Sequence, residues 1–302
     1  MASSARSRTR YGIPVSQYKQ VLSRLLDVPT GHTVAIIGHR DPDPDAAACI
    51  ELLKMFLSEL YYQDVRGYCL EVGQRLAPFG FKAQAPSELL ALIKERGREN
   101  VFVILVDAPR TDSKWVGGEL AASMPMADLV IDHHSADPIG KLTLCYRAPR
   151  SAATTLVIGL IETHHSRTRH PLFTNDPAYR DLRTLAAAAL LVDAQIPFAK
   201  RDDMSLKGTA VEALRTLGSD VNWELVGSNC SAEIDPVFRG ARAAMLAQYE
   251  IYVRDEVHLA VYWAGQLEER RHTAMLAEDL RAASSRRTAA LVLGVHESQV
   301  RA

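Results

Sequence analysis

Three aspartates and a histidine fall within seven positions in His39-Arg40-Asp41-Pro42-Asp43-Pro44-Asp45. Further along, "ILVDAP" sets Asp107 directly after an apolar run, and "VIDHH" sets Asp132, His133 and His134 after another. A fourth acid, Asp193, closes the alanine-rich "AAAALLVD". Carboxylates gathered without partners repel one another and raise each other's pKa. A divalent cation removes that repulsion. Oxygen and imidazole donors together suit manganese, iron, cobalt or zinc better than calcium. Two cations sharing one carboxylate would form a clamp for phosphoryl chemistry. Each motif alone is commonplace, since acidic turns are usually solvated and a lone aspartate often caps a helix. Their joint occurrence after apolar runs is far more specific.

For these residues to meet, the runs before them must be parallel strands ending at one edge, where open α/β sheets bind their ligands. The pattern fits. "TVAII" (33–37), "NVFVILVD" (100–107) and "MADLVIDHH" (126–134) are continuous apolar runs, as expected of strands covered by helices on both faces. "DVRGYCL" (64–70) reads as a further strand. Helical spacing marks "VSQYKQVLSRLLD", where Val15, Tyr18, Val21, Leu22 and Leu25 share a face, and also Ala46–Leu60. "SELLALIKERG" reads as a helix with a serine cap and a glycine stop. "SAATTLVIGLIETHH" and "DLRTLAAAALLVD" read as two more. The expected fold class is α/β: a doubly wound, mostly parallel sheet over residues 1–200, then a helical linker over 201–229 and a second, smaller α/β domain over 230–302.

The 302 residues carry a net charge of −1, which speaks against a protein that coats polyanions nonspecifically. No run of 18 apolar residues exists, so no membrane span is expected. Four scattered cysteines without a C-x-x-C pair fit a reducing cytoplasm and not a zinc–cysteine site. The basic N-terminus lacks the apolar stretch of a secretory signal.

Together the four motifs resemble the DHH phosphoesterase superfamily. His39-Arg40-Asp41-Pro42-Asp43-Pro44-Asp45-Ala46 is similar to its first motif, Asp107 to its second, Asp132-His133-His134 to the triplet that names it, and Asp193 in "LLVDAQIPF" to its fourth. The resemblance spans roughly residues 30 to 200 and looks most like the RecJ-like branch of nano-RNases and phosphoadenosine-phosphate phosphatases. It implies that His39, Asp43 and Asp107 bind one metal and that Asp45, Asp107, His133 and Asp193 bind the other, with Asp107 bridging. It implies that His134 meets the substrate phosphate and that Asp132 orients the histidines. Manganese is the implied metal, with magnesium or cobalt as substitutes. The implied activity is hydrolysis of phosphate esters in short single-stranded oligonucleotides or nucleoside bisphosphates. An inorganic pyrophosphatase of the same superfamily and a weakly catalytic regulatory protein are the alternatives.

Two features depart from the pattern. The fourth motif has Ala194 in place of a usual threonine, with its phenylalanine one position late. The glycine-rich G-G-G-H motif of the superfamily's second domain is absent, so that domain is expected to be incomplete, with the open edge "ALVLGV" favouring dimerisation. Arg110 and Arg150 are candidate phosphate contacts, and the helix start after Arg150 could offer backbone N–H groups. His164-His165 reads as a solvated helix terminus.

Overall fold

The computed structural model describes residues 9–230 apart from positions 10, 12, 41, 61, 63, 71, 73, 125, 135, 148–150, 166–169, 195, 197–200, 202–205, 207 and 218–219, and beyond residue 230 it describes the backbone of three strands. The chain divides into two compact units, Met1–Cys230 and Ser231–Ala302.

The first unit is built on five strands: β1 (Thr33–Ile37), β2 (Val65–Tyr68), β3 (Val101–Val106), β4 (Ala127–Asp132) and β5 (Gly140–Cys145). All pairings are parallel and the order is β2-β1-β3-β4-β5. Every residue of β1, β3 and β4 is buried. Their two-residue alternation feeds two separate cores. Val34, Ile36, Ile104 and Ile131 join one core, while Ala35, Ile37, Val103 and Val130 join the other. That explains why these strands read as unbroken apolar runs.

The first core is covered by α1 (Val15–Leu26), α2 (Pro44–Glu59), α6 (Ala153–His164) and α7 (Arg180–Asp193). The second is covered by α3 (Pro86–Arg96), α4 (Ser113–Val116) and α5 (Gly118–Ser123). Helix α6 is buried at every residue from Ala153 to Ile161, so it lies inside its layer. Gly159 makes this possible, because a methyl there would run into the Tyr18 hydroxyl of α1.

Several boundaries differ from the sequence reading. Helix α2 begins at Pro44, where a missing N–H costs nothing, and Asp43 caps it. Helix α3 begins at Pro86 after Ala85. Ser87 therefore lies inside the helix, and it is Glu88 that accepts from the Ala85 N–H, at 3.0 Å. Strand β5 gives no clear signal in the sequence, because an edge strand partly open to water lacks a continuous apolar run. The expected linker contains α8 (Thr209–Thr216) and α9 (Trp223–Cys230), and Ala210, Val211, Ala213, Leu214 and Val226 are buried in the first core.

In the second unit β6 (Glu250–Arg254) pairs antiparallel with β7 (Val257–Gln266), and β7 pairs parallel with β8 (Thr288–Val295). The helices expected at 235–249 and 273–283 lie outside the described residues.

Candidate metal centre

In this strand order the chain leaves β1 toward one side of the sheet and leaves β3 toward the other, which opens a crevice at their carboxyl ends. His39 follows β1 and Asp107 follows β3, so the crevice lies between them. Asp107 has φ +53°, the only positive φ outside glycine among the described residues, and its N–H donates to the Ile131 carbonyl at 2.9 Å. Aspartate tolerates this left-handed conformation better than most residues. It keeps the backbone on the sheet while turning the chain at its end.

The two Asp107 oxygens face different partners. Oδ2 lies 3.4 Å from His39 Nε2, which is 3.7 Å from Asp43 Oδ1. Oδ1 lies 3.3 Å from His133 Nε2, and that nitrogen is also 3.0 Å from Asp193 Oδ2 and 3.7 Å from Asp45 Oδ2. Two donor groups result, His39–Asp43–Asp107 on one side and Asp45–His133–Asp193 on the other, and Asp107 touches both.

Buried polar groups normally find partners. Here Asp107 Oδ1, His133 Nε2 and Asp193 Oδ2 are all buried and make no hydrogen bond, and His133 Nε2 lies against both oxygens. Three orphaned donor atoms converging on one point fit a divalent cation. Without one, protons must supply the positive charge. Burial opposes a charged His133, yet Asp193 and Asp107 outweigh it and push its pKa up to about 12. Burial likewise opposes charge on His39, and Asp107 and Asp43 hold it well above the usual value. Burial raises Asp193 to about 6 against the pull of His133, with the Asp107 charge adding to the rise. Burial and the Asp107 and Asp193 charges also raise Asp45. Such shifts mark functional sites.

The description "DHH family, N-terminal domain" matches residues 33–190, more than half of the chain. The chain belongs to the DHH family. That places it among divalent-metal-dependent phosphoesterases, and the DHH triplet is the His133–His134 pair with Asp132. No curated protein sequence matches the chain significantly. Among solved structures, it is similar to an exopolyphosphatase-related protein from Bacteroides fragilis, at 13% identity and TM-score 0.48 over 86% of this chain and 72% of that one. It is also similar to CDC45 from Entamoeba histolytica, at 11% identity and TM-score 0.38 over 90% and 83%.

Within the DHH triplet, Asp132 is fully buried and its Oδ1 lies 2.8 Å from His134 Nδ1. It therefore orients His134 alone and not both histidines, because His133 Nδ1 meets the Ser151 hydroxyl at 3.3 Å. Ser151 carries no signal in the sequence beyond standing just before a helix. Asp45 has a second task that sequence spacing did not reveal. Its two oxygens accept from the Ala153 N–H at 2.7 Å and the Thr154 N–H at 2.8 Å, which caps α6. Those N–H groups, expected to be available for phosphate, are consumed by Asp45.

Arg110 is exposed and bonded to Asp112 at 2.8 Å, and Arg150 lies outside the described residues. Of the pair read as a solvated helix terminus, His164 is exposed, whereas His165, the C-cap of α6, is only partly so. Its ring packs 4.4 Å from that of the buried His170, and its Nε2 lies 3.6 Å from Glu59 Oε2. The Leu172 N–H donates to His170 Nδ1 at 3.0 Å, so the ring proton sits on Nε2, which donates to Glu59 Oε2 at 2.8 Å. The Tyr179 hydroxyl donates to Glu59 Oε1 at 3.3 Å. These bonds make the Glu59 cluster a clasp that ties chain segments together and leave His170 no lone pair for a metal.

Proposed function

We propose that the crevice holds two divalent ions, manganese in the first instance, and hydrolyses phosphate esters of short oligonucleotides or nucleoside bisphosphates. The observation that carries the proposal is Asp107, whose two oxygens serve two separate donor groups. His39 and Asp43 complete one set, and Asp45, His133 and Asp193 complete the other. Bound there, two divalent ions supply charge neutralisation for the phosphoryl oxygens and lower the pKa of water. The chain's own residues do the rest. Asp132 fixes the direction of His134 through Nδ1, so that the protonated ring presents its Nε2–H to a phosphoryl or leaving-group oxygen. The Ser151 hydroxyl and the buried α6 terminus fix His133 and Asp45, so little reorganisation accompanies reaction.

The test is hydrolysis of pGpG, phosphoadenosine phosphate, pyrophosphate and longer single strands by the full chain with manganese. Turnover of the first two, lost in chelator, is the expected result. Turnover of pyrophosphate alone would replace the nucleotide reading with the pyrophosphatase one.

A further inference from the structure

Trp115 stands at the flank of the DHH triplet. Asp112 caps α4, its Oδ1 accepting from the Lys114 N–H at 3.0 Å and the Trp115 N–H at 3.2 Å. Val116 is buried beneath, so the backbone at Trp115 is held from two sides. The indole is half-buried, resting partly on the second core, and its ring centroid lies 5.0 Å from that of His134 at an interplanar angle of 61°. His134 is itself 35% exposed, and its Nδ1 is 3.7 Å from Asp107 Oδ1. One imidazole therefore separates the indole from the carboxylate shared by the two donor groups. The Lys114 ammonium lies 5.1 Å from the Trp115 centroid on an exposed side chain.

We infer that Trp115 is the base-recognition residue of this site, offering its ring to a nucleobase of the substrate whose phosphate sits at Asp107. This rests on the nucleotide reading of the crevice given above. An aliphatic side chain would cover the second core as well as an indole does. What the indole adds is a large, rigid π-face one imidazole away from the reacting phosphate. A ring face with a cation beside it is the combination that single-stranded nucleic acid sites use, and it tolerates every base because every base has a π-face. His134 is held edge-on to the indole and through Asp132, so ring, imidazole and phosphate position form one fixed series. Lys114 is free to leave the indole face for a phosphate of the incoming strand.

The test uses the full chain and has two arms. In the first, pGpG kinetics are measured with manganese for wild type, Trp115→Ala and Trp115→Phe. Stacking lost on truncation corresponds to roughly a 5- to 150-fold rise in KM. Trp115→Phe should recover most of it, with kcat falling far less than KM rises. A fall in kcat at unchanged KM would mean that the indole merely supports His134, and would overturn the inference. In the second arm, AMP is titrated with calcium in place of manganese, and intrinsic fluorescence is read. Wild type should be quenched. Trp115→Phe, which keeps Trp223 and Trp263, should show little quenching. No quenching in wild type, or equal quenching in the variant, overturns the inference. If wild type fails to hydrolyse any nucleotide yet AMP quenches through Trp115, the substrate proposal falls and the base platform stands.

Discussion

Asp107 combines two demands that substitution can separate. Its carboxylate is the shared member of both donor groups, and its backbone occupies φ +53°. Asparagine keeps the tolerance for this conformation and loses the charge, whereas alanine loses both. Removing a hydrogen-bonding partner behind a metal ligand costs roughly 10- to 100-fold in metal affinity. Losing the ligand itself should cost at least about 100-fold at each cation, in both variants alike. The backbone term differs between them, since the left-handed region costs an ordinary residue roughly 1–2 kcal/mol. For a unit of this size each kcal/mol shifts Tm by roughly 2–4 °C, so the alanine variant should melt roughly 2–8 °C below the asparagine variant in chelator. Both lack the charge, so their difference reports the backbone together with the amide contacts to His39 and His133 that only asparagine can keep. Elemental analysis after equilibrium dialysis, with thermal melts in EDTA, measures both quantities. An asparagine variant that keeps two tightly bound ions would refute the shared-ligand reasoning, and identical melting of the two variants would refute the strain argument.

Three further outcomes follow from the same geometry. His133→Ala should lose metal, whereas His134→Ala should keep it and lose kcat, because His133 Nε2 lies against both orphaned oxygens, while His134 reaches Asp107 alone, at 3.7 Å, with an Nδ1 already bonded to Asp132; equal metal loss in both would show the roles to be wrongly divided. Asp45→Asn turns one of two buried acceptors into a donor facing an N–H, so it should cost about 1–3 kcal/mol in addition to weakening metal, read by urea denaturation in EDTA, and unchanged stability there would mean that Asp45 does not anchor α6. With its folded pKa raised to about 12, His133 contributes stability that is complete below its unfolded value of about 6.5 and is lost as pH climbs toward 12. The raised Asp193 destabilises the fold as pH rises from its unfolded value to about 6, which acts in the same direction. Metal-free protein should therefore lose stability between pH 6 and 9, while metal binding, which displaces these protons, should strengthen, so a Tm gap between loaded and stripped protein that does not widen would contradict the charge assignment.

The legible parts of this chain share one property, that their signal is local. Strands β1, β3 and β4 show as apolar runs because both their faces are buried, and the ligand candidates show because each ends such a run or the helix α7. Strand β5, half in water, leaves no run to read. Helices α8 and α9 read as a linker because short helices with polar outer faces look like one until the core they cover is known. The Asp45–α6 bonds, the Ser151–His133 contact and the inward turn of His165 join residues far apart in sequence, and no spacing rule predicts them. Trp115 gives no signal in the sequence, since a single aromatic eight residues after a ligand is an ordinary occurrence.

The two carboxylates at opposite ends of α2, Asp45 buried and Glu59 partly exposed, have a consequence of their own. Asp45 fastens the start of α2 to the start of α6, and Glu59 fastens the end of α2 to the segment after α6 and, through Tyr179, to the residue before α7. A helix pinned at both ends cannot slide past its neighbour, so the places of Asp43 and Asp45 against α6 are set before any ion arrives. Calcium takes 6–8 oxygens at roughly 2.3–2.6 Å and relies on pliable surroundings, whereas smaller divalent ions accept fewer donors at shorter range. A frame this stiff would sort ions by ionic radius, so that choice among divalent ions with similar appetites for oxygen and nitrogen is written into helix spacing and not only into the identity of the ligands.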